Sequence, residues 1–143
     1  MTLYLKKITY EIAEMRIDPV EHAQKFCISL HQAKVYSRLF GLSSIPILDN
    51  CSLFEFILKP IQRLLIGIDK SDIGLLIYPH TIPYIGPFSD AILMELQRAL
   101  DLEHTLSFKL TLNNCIGPMS ALQIAEHFLK VQPTKSALII LGE

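Results

Sequence analysis

The stretch TLSFKLTLNNCIGP, residues 105–118, decides the fold class of this protein. Its first eight residues alternate strictly between apolar side chains (Leu106, Phe108, Leu110 and Leu112) and polar ones. Such alternation predicts a β-strand over Thr105–Leu112 whose two faces meet different environments. The next residues, from Asn113 to Pro118, predict a tight turn that leads directly into a helix.

That helix is expected to run to Lys130 and to be mostly buried. Its polar residues fall on a single narrow stripe, which leaves the other faces apolar: Gln123, Glu126, His127 and Lys130. A continuous apolar strand is predicted beyond it, over Ser136–Leu141. Because a strand covered on both faces needs polypeptide on each side, we expect this one to pack against further chain, from this protein or from another.

The first half of the chain predicts one strand and two helices. The strand covers Leu3–Ile12, where apolar and β-branched residues are frequent. A helix is predicted from Asp18, a capping residue followed by proline, to Phe40, where Gly41 ends it.

After a loop over Ser43–Asn50, the second helix is expected from Ser52 to Ile66, with Gly67 at its end. Pro60 lies inside this helix and should kink or split it.

The middle of the chain supplies the next strand and helix. Ile73–Tyr78 is continuously apolar, as expected of a strand covered on both faces. A proline-rich loop over Pro79–Pro87 follows, and then a helix over Phe88–Leu100. The alternation of strands and helices predicts an α/β fold with a mixed, mostly parallel sheet and helices on both faces. We expect residues 1–143 to form one domain of this kind.

Composition excludes several classes of protein. The chain has 143 residues, 50% of them hydrophobic and only 19% charged, with a net charge of −1. It contains neither the roughly 20 uninterrupted apolar residues of a membrane span nor a signal-peptide pattern. It also lacks the basic run of a nucleic-acid-binding surface. These features predict a cytoplasmic protein, without a membrane span or a nucleic-acid partner, that buries much apolar surface against another protein.

The three cysteines, Cys27, Cys51 and Cys115, are widely spaced and form no CxxC pair. We therefore expect no disulfide framework and no metal site. Cys115 differs from the other two because it lies between a predicted strand and the first turn of a predicted helix. Backbone N–H groups at a helix N-terminus can stabilise a thiolate, which favours a reactive cysteine. The alternative is that Cys115 is a small buried core residue.

Several segments, in order, resemble β-ketoacyl-acyl-carrier-protein synthase III and other condensing enzymes of the thiolase superfamily. They are DIGLLIYPHTIPYIGP (72–87), LMELQRALDL (93–102), FKLTLNNCIGPMSALQIAEHFL (108–129), KSALIILGE (135–143) and, more loosely, YSRLFGLSSIP (36–46). The resemblance implies that residues 1–143 are an N-terminal thiolase-like half-domain without the C-terminal half.

On this resemblance, Cys115 matches the cysteine that accepts the acyl group. Family chemistry transfers an acyl group from coenzyme A or acyl carrier protein to this thiol, and the acyl group is then condensed with a malonyl thioester. The substrate would be a thioester and no cofactor would be bound. Asn114, Gly117, His80 and Phe88 are candidate neighbours of the active site. Gly117 would let substrate approach the backbone, and Phe88 would either reach a neighbouring acyl tunnel across a dimer or pack in the core.

The family histidine and asparagine belong to the second half, so no residue of this sequence receives those roles. Ile116 and Pro118 also differ from the residues usual beside the family cysteine.

Three interpretations follow. The first is a subunit of a split acyltransferase of fatty acid or secondary metabolite biosynthesis, completed by a complementary C-terminal half. The second is a non-catalytic half-domain that dimerises with a homologous ketoacyl synthase and stabilises or regulates it. The third is a truncated product that self-associates through its exposed face. The expected partners are therefore the complementary half, a homologous synthase or an acyl carrier protein, in a homo- or hetero-oligomer.

Overall fold

A computed structural model describes residues 3–81, 91–111 and 114–142, without the side chain of Asn114. The first half of the chain contains β1 (Arg16–Ile17), α1 (Leu30–Phe40), β2 (Ile45–Pro46) and α2 (Leu53–Leu65). The second half contains β3 (Ile73–Pro79), α3 (Ile92–Ala99), β4 (Leu106–Leu110), α4 (Gly117–Val131) and β5 (Ser136–Ile139). The element order agrees with the predicted alternation of strands and helices, which confirms the α/β class.

Contacts along the chain divide it into two compact units. One unit is Tyr10–Phe56, and the other combines Met1–Thr9 with Ile57–Glu143. The second unit contains β3, β4 and β5 together with α3 and α4. Whether the whole chain acts as one half-domain stays a prediction.

The sheet of the second unit has the strand order β4-β3-β5, and both pairings are parallel. The central strand β3 is almost fully buried, as its continuous apolar sequence predicts. Leu75, Leu76, Ile77 and Tyr78 expose none of their surface. The sheet is therefore built around a strand that water does not reach.

Helix α4 covers one face of this sheet. Leu75 and Ile77 of β3 form a buried cluster with Ala121 and Ala125 of α4. Side chains from the two flanking strands pack against this cluster: Phe108, Leu110, Ala137 and Ile139. The register pairs Ile77 with both Phe108 and Ile139, so the three strands present one continuous apolar face to the helix.

Polar contacts with α3 mark the opposite face. Ser107 donates a hydrogen bond of 2.6 Å to Oε1 of Gln97 in α3. Because Ser107 and Phe108 point to opposite faces of β4, α3 and α4 lie on different sides of the sheet. Thr105 is buried and donates to the carbonyl oxygen of Ile73 at 2.8 Å. The two environments predicted for this strand are thus a polar contact with α3 and an apolar contact with α4.

Two helix termini in the first half form capping boxes. In α1, Ser29 accepts from the N–H of Gln32, whose side chain accepts from the N–H of Ser29. Gly41 ends α1 with a φ of 70°, as predicted. Before α2, the N–H of Ser52 donates to the Glu55 carboxylate at 2.8 Å, and the N–H of Glu55 donates to the Ser52 hydroxyl. The bond from the Ser52 N–H, followed by a bond of 2.9 Å from the Ser52 hydroxyl, lowers the pKa of the Glu55 carboxylate.

The segment Leu3–Ile12 forms no strand, contrary to expectation. Most of its large apolar side chains are exposed, and two of its polar side chains bond to the rest of the second unit. Lys6 Nζ donates to Ser136 Oγ at 3.0 Å, and Thr9 donates to the carbonyl oxygen of Pro60 at 2.9 Å. The prediction failed because apolar composition alone does not supply a hydrogen-bonded neighbour, which a strand needs.

The helix predicted over 18–40 is also interrupted. Asp18 caps the N–H of Val20 as expected, but residues 19–27 form successive turns, and only Leu30–Phe40 is helical. Cys27 adopts a φ of 53°, in the left-handed region, which a helix cannot continue through.

Pro60 does not split α2, which runs continuously from Leu53 to Leu65. The predicted loop over Ser43–Asn50 contains β2, which pairs antiparallel with β1.

Helix α4 and strand β5 are less buried than predicted. In α4 the buried residues are Gly117, Ala121 and Ala125, along one side, whereas several large apolar residues on other sides are exposed. In β5, Leu138 is buried but Ala137 and Ile139 are half-buried. An apolar sequence indicates which surfaces avoid water, but the described chain does not cover all of them.

Gly74→Ala should destabilise the fold by about 1–3 kcal/mol, the usual effect of overpacking. A Cβ at residue 74 would lie 3.0 Å from both the Phe128 ring and the Lys135 side chain. Gly142→Ala is the matched control, since no atom lies within 4 Å of its Cβ position. The measurement is urea unfolding. Equal midpoints for the two variants would contradict the close packing of α4 on β3.

Candidate active site

The carboxyl ends of β3, β4 and β5 meet at one edge of the sheet because all three strands are parallel. A half-open cavity of about 170 Å³ lies at this edge. The described residues that line it come from the end of β3 and the segment after it, the turn before α4, the first turn of α4 and the segment after β5: Pro79, His80, Thr81, Cys115, Pro118, Leu141 and Gly142. This is the position at which open parallel sheets bind ligands.

Cys115 lies in a single 3₁₀ turn, Asn114–Ile116, that runs directly into α4. The turn combines the two features predicted for it, a strand before it and a helix start after it. The thiol is exposed, so the alternative of a sealed core cysteine is wrong. Cys27 and Cys51 are exposed as well, which means that exposure alone does not distinguish Cys115.

Two contacts hold the end of β3, one against the first residue of α4 and one against the end of β4. Gly117 is buried, and a Cβ built on it would lie 3.3 Å from Cβ of Pro79. The N–H of His80 donates to the carbonyl oxygen of Leu110, the last residue of β4, at 3.1 Å. The structure therefore gives Gly117 a packing role against Pro79, while its predicted role in substrate approach stays a prediction.

His80 is the candidate neighbour that the structure brings to the cavity together with Cys115. Only 5% of its surface is exposed, and its ring lies 5.0 Å from the Tyr78 ring, centroid to centroid. The Tyr78 hydroxyl in turn donates to the carbonyl oxygen of Gly142 at 3.1 Å. The wall of the cavity is thus held by contacts between the ends of β3 and β5.

Two other predicted neighbours give less information. Phe88 lies outside the described residues, as does the side chain of Asn114.

The predicted polar stripe of α4 is at the surface: Lys130 forms an ion pair with Glu126 at 2.7 Å. The hydrogen bond from Lys130, followed by the positive charge of Lys130, lowers the pKa of the Glu126 carboxylate.

Sequence reasoning missed the contributions of Tyr78 and Gly142. The sequence predicts only that Tyr78 lies in a buried strand. A tyrosine buried in an apolar strand also needs a partner for its hydroxyl group. That partner lies 64 residues away, and no local pattern identifies it.

An apolar surface lies next to the Cys115 turn. Three residues spaced three apart in the sequence expose 65%, 61% and 51% of their surface: Ile116, Met119 and Leu122. We call these three residues the α4 apolar surface. Exposed apolar side chains grouped in this way are typical of an interaction site.

Within the described residues, His, Cys, Asp and Glu side chains form no group of three that could hold a metal ion. No described helix combines the length and the apolar character that crossing a bilayer requires.

Several solved structures share this fold. ChlB3, described as an acyltransferase, is 22% identical with a TM-score of 0.73, over 92% of this chain and 39% of its own. A variant of OleA from Xanthomonas campestris is 19% identical with a TM-score of 0.72, over 94% and 41%. The 3-oxoacyl-[acyl-carrier-protein] synthase III from Aquifex aeolicus is 18% identical with a TM-score of 0.69, over 92% and 42%.

No protein-family model and no curated protein matches the sequence. At these identities the structural likeness shows the fold alone, an α/β fold that this chain shares with part of each of these enzymes. The chain spans about two fifths of the length of these structures.

Tyr78→Phe should destabilise the protein by about 0.5–1.5 kcal/mol, because it removes the hydrogen bond to the Gly142 carbonyl. Tyr36→Phe is the control, since that ring packs against Phe40 and is partly exposed. The control should change stability by less than about 0.5 kcal/mol. Urea unfolding measures both variants, and an unchanged Tyr78→Phe midpoint would contradict a stabilising bond between β3 and the segment after β5.

Proposed function

We propose that this chain supplies the acyl-accepting cysteine, Cys115, of an acyltransferase of the ketoacyl synthase III type. The observation that supports this most directly is the position of Cys115. Its exposed thiol lies at the start of α4 and lines a cavity at the carboxyl ends of three parallel strands. The fold shared with condensing enzymes agrees with this chemistry.

The proposed first step is a thioester exchange. Sγ of Cys115 attacks the carbonyl carbon of an acyl thioester, the bond from that carbon to the donor sulfur breaks, and the donor leaves as a thiol. The proton that Cys115 loses reaches the donor sulfur, so atoms and charge balance. Covalent catalysis of this kind divides one difficult transfer into two easier ones. N–H groups at the start of α4 would stabilise the developing oxyanion.

The donor is proposed to be acyl-coenzyme A or an acyl carrier protein. The name of the similar Aquifex aeolicus enzyme includes an acyl carrier protein, and ChlB3 is described as an acyltransferase. The acceptor would be a malonyl thioester in a condensation, or another nucleophile in a transfer.

We further propose that a complementary half completes the active site and supplies the histidine and asparagine of the family mechanism. The α4 apolar surface supports this proposal, because it borders the cysteine turn and is not covered by the described residues. Packing against another half would remove Ile116, Met119 and Leu122 from water, and apolar burial contributes roughly 25 cal/mol per Å².

A second candidate function is a non-catalytic half-domain that associates with a homologous synthase. The same α4 apolar surface favours it, since association does not depend on the reactivity of the thiol. The two functions differ in what a substitution of Cys115 would do. It would abolish acyl transfer under the first function and leave the activity of the associated synthase unchanged under the second.

Incubation of the purified chain with acetyl-coenzyme A should add one acetyl group, on Cys115, as measured by intact-mass and peptide mass spectrometry. Cys115→Ser should remove this thiol adduct. Cys51→Ser is the matched control, because Cys51 is also exposed but does not line the cavity.

Equal labelling of Cys51 and Cys115 would indicate chemical reactivity without a site. A complete absence of adduct, from both acetyl-coenzyme A and an acetylated carrier protein, would contradict the proposed function and leave the non-catalytic one.

Replacing both Met119 and Leu122 with lysine should prevent the chain from associating through the α4 apolar surface. We expect the unmodified chain to dimerise reversibly by sedimentation velocity and the double variant to remain monomeric, because burying unpaired charges is costly. Gln123→Lys, on the exposed polar side of α4, should still dimerise. An association unaffected by the double substitution would exclude this surface as the interface.

A further inference from the structure

We propose that Leu141 limits the length of the acyl chain that Cys115 accepts, and that Tyr78 holds Leu141 in position from the central strand. The inference rests on the acyl-accepting function proposed for Cys115 and adds to it the residue that selects among acyl donors. Leu141 would contact the acyl chain directly. Tyr78 would act on the chain only through Leu141, as a positioning residue.

The cavity beside Cys115 has an apolar wall. Pro79 lies on the face of β3 that α4 covers, two residues beyond Ile77 of the buried cluster, and Pro118 lies in the first turn of α4. Among the described residues that line the cavity, Leu141 has the longest apolar side chain, and 60% of its surface is exposed. An acyl chain that enters the cavity from Cys115 would therefore meet Leu141.

Two hydrogen bonds hold the backbone on either side of Leu141. Before it, the N–H of Ile140 donates to the carbonyl oxygen of Ile77 at 2.9 Å. After it, the carbonyl oxygen of Gly142 accepts from the Tyr78 hydroxyl at 3.1 Å. Both partners lie in β3 and expose none of their surface. Leu141 is thus attached to the buried strand, although it lies beyond the end of β5.

The second of these bonds depends on a side chain. The Ile140 bond is between backbone groups and continues the pairing of β5 with β3 by one residue. The Gly142 bond requires the hydroxyl group of Tyr78, which phenylalanine lacks. Because glycine has the greatest backbone freedom of any residue, loss of that bond would leave Leu141 held from one side only.

A leucine in a fixed position at the wall favours short acyl chains. Each methylene group that leaves water contributes about fourfold to binding, as long as the cavity has room for it. A chain that reaches Leu141 must displace this side chain or remain in water. We therefore expect acetyl-coenzyme A to acylate Cys115 faster than hexanoyl-coenzyme A does.

The test uses a chain in which Cys27 and Cys51 are replaced by serine, so that Cys115 is the remaining thiol. Acylation by acetyl-coenzyme A and by hexanoyl-coenzyme A is followed over time by intact mass. The ratio of the two rate constants is compared between variants, because a ratio cancels changes in folded fraction and in thiol reactivity. Leu141→Ala should raise the hexanoyl-to-acetyl ratio by at least about tenfold, the lower range for discrimination in an apolar pocket.

Leu106→Ala is the matched control. Leu106 is 57% exposed, much like Leu141, but it begins β4 and so lies at the end of the sheet opposite to the cavity. Its substitution should leave the ratio at the parental value.

Tyr78→Phe separates positioning of Leu141 from support of the fold. It should raise the hexanoyl-to-acetyl ratio in the same direction as Leu141→Ala, but by less. In a chain that already carries Leu141→Ala, it should not change the ratio further, because residues that act through one another are not additive. A tyrosine that only stabilises the fold would lower the urea midpoint and leave the ratio unchanged.

N-methylmaleimide and N-hexylmaleimide test the wall independently of acyl transfer, since both alkylate the thiol directly. Leu141→Ala should raise the hexyl-to-methyl ratio as well. The role of Leu141 is overturned if, in either series, Leu141→Ala changes the ratio no more than Leu106→Ala does. The role of Tyr78 is overturned if Tyr78→Phe leaves the acyl ratio unchanged, or shifts it equally with and without Leu141.

The acyl-accepting function fails in a different way. In that case neither coenzyme A thioester acylates Cys115 in the parent chain, while the maleimide ratio still shows whether Leu141 limits the cavity.

Discussion

The close contact between the end of β3 and the start of α4 is the constraint on which the candidate site depends. Gly117, which directly follows the turn that carries Cys115, packs against Pro79, and the His80 N–H joins the end of β3 to the end of β4. Because β3 is buried between two parallel neighbours, it provides a rigid reference for both contacts. The cavity exists because three strands end together at that edge.

Helix α4 is only partly covered by the described residues. Small residues on α4, Ala121 and Ala125, allow the helix to approach the sheet closely, while larger apolar residues lie on its exposed sides. A helix with apolar residues on most of its surface is usually enclosed on most of its surface. Within the described residues α4 is enclosed only on its sheet side, which is why we propose that another half covers the remainder.

In the proposed function, catalysis and association would be linked by proximity. Ile116, in the α4 apolar surface, directly follows Cys115, so a partner that covers this surface would also border the cavity. Such a partner could complete the oxyanion site and exclude water from the thioester, which strengthens electrostatic interactions within a site. The chain alone would then retain the exchange step proposed for Cys115.

The amino-acid sequence alone predicts the α/β class, strands β3 and β4, the C-terminal end of α1, both ends of α2, and the position of Cys115 between a strand and a helix. Periodicity, capping residues and glycine conformations are local properties, and so a local pattern predicts them. It wrongly predicted a strand over Leu3–Ile12 and a nearly enclosed α4, since pairing and coverage depend on neighbours that composition does not specify. Only the tertiary structure decided that His80 and Cys115 share a cavity and that Tyr78 reaches Gly142. Those pairs are 35 and 64 residues apart, and they meet because parallel strands end at one edge.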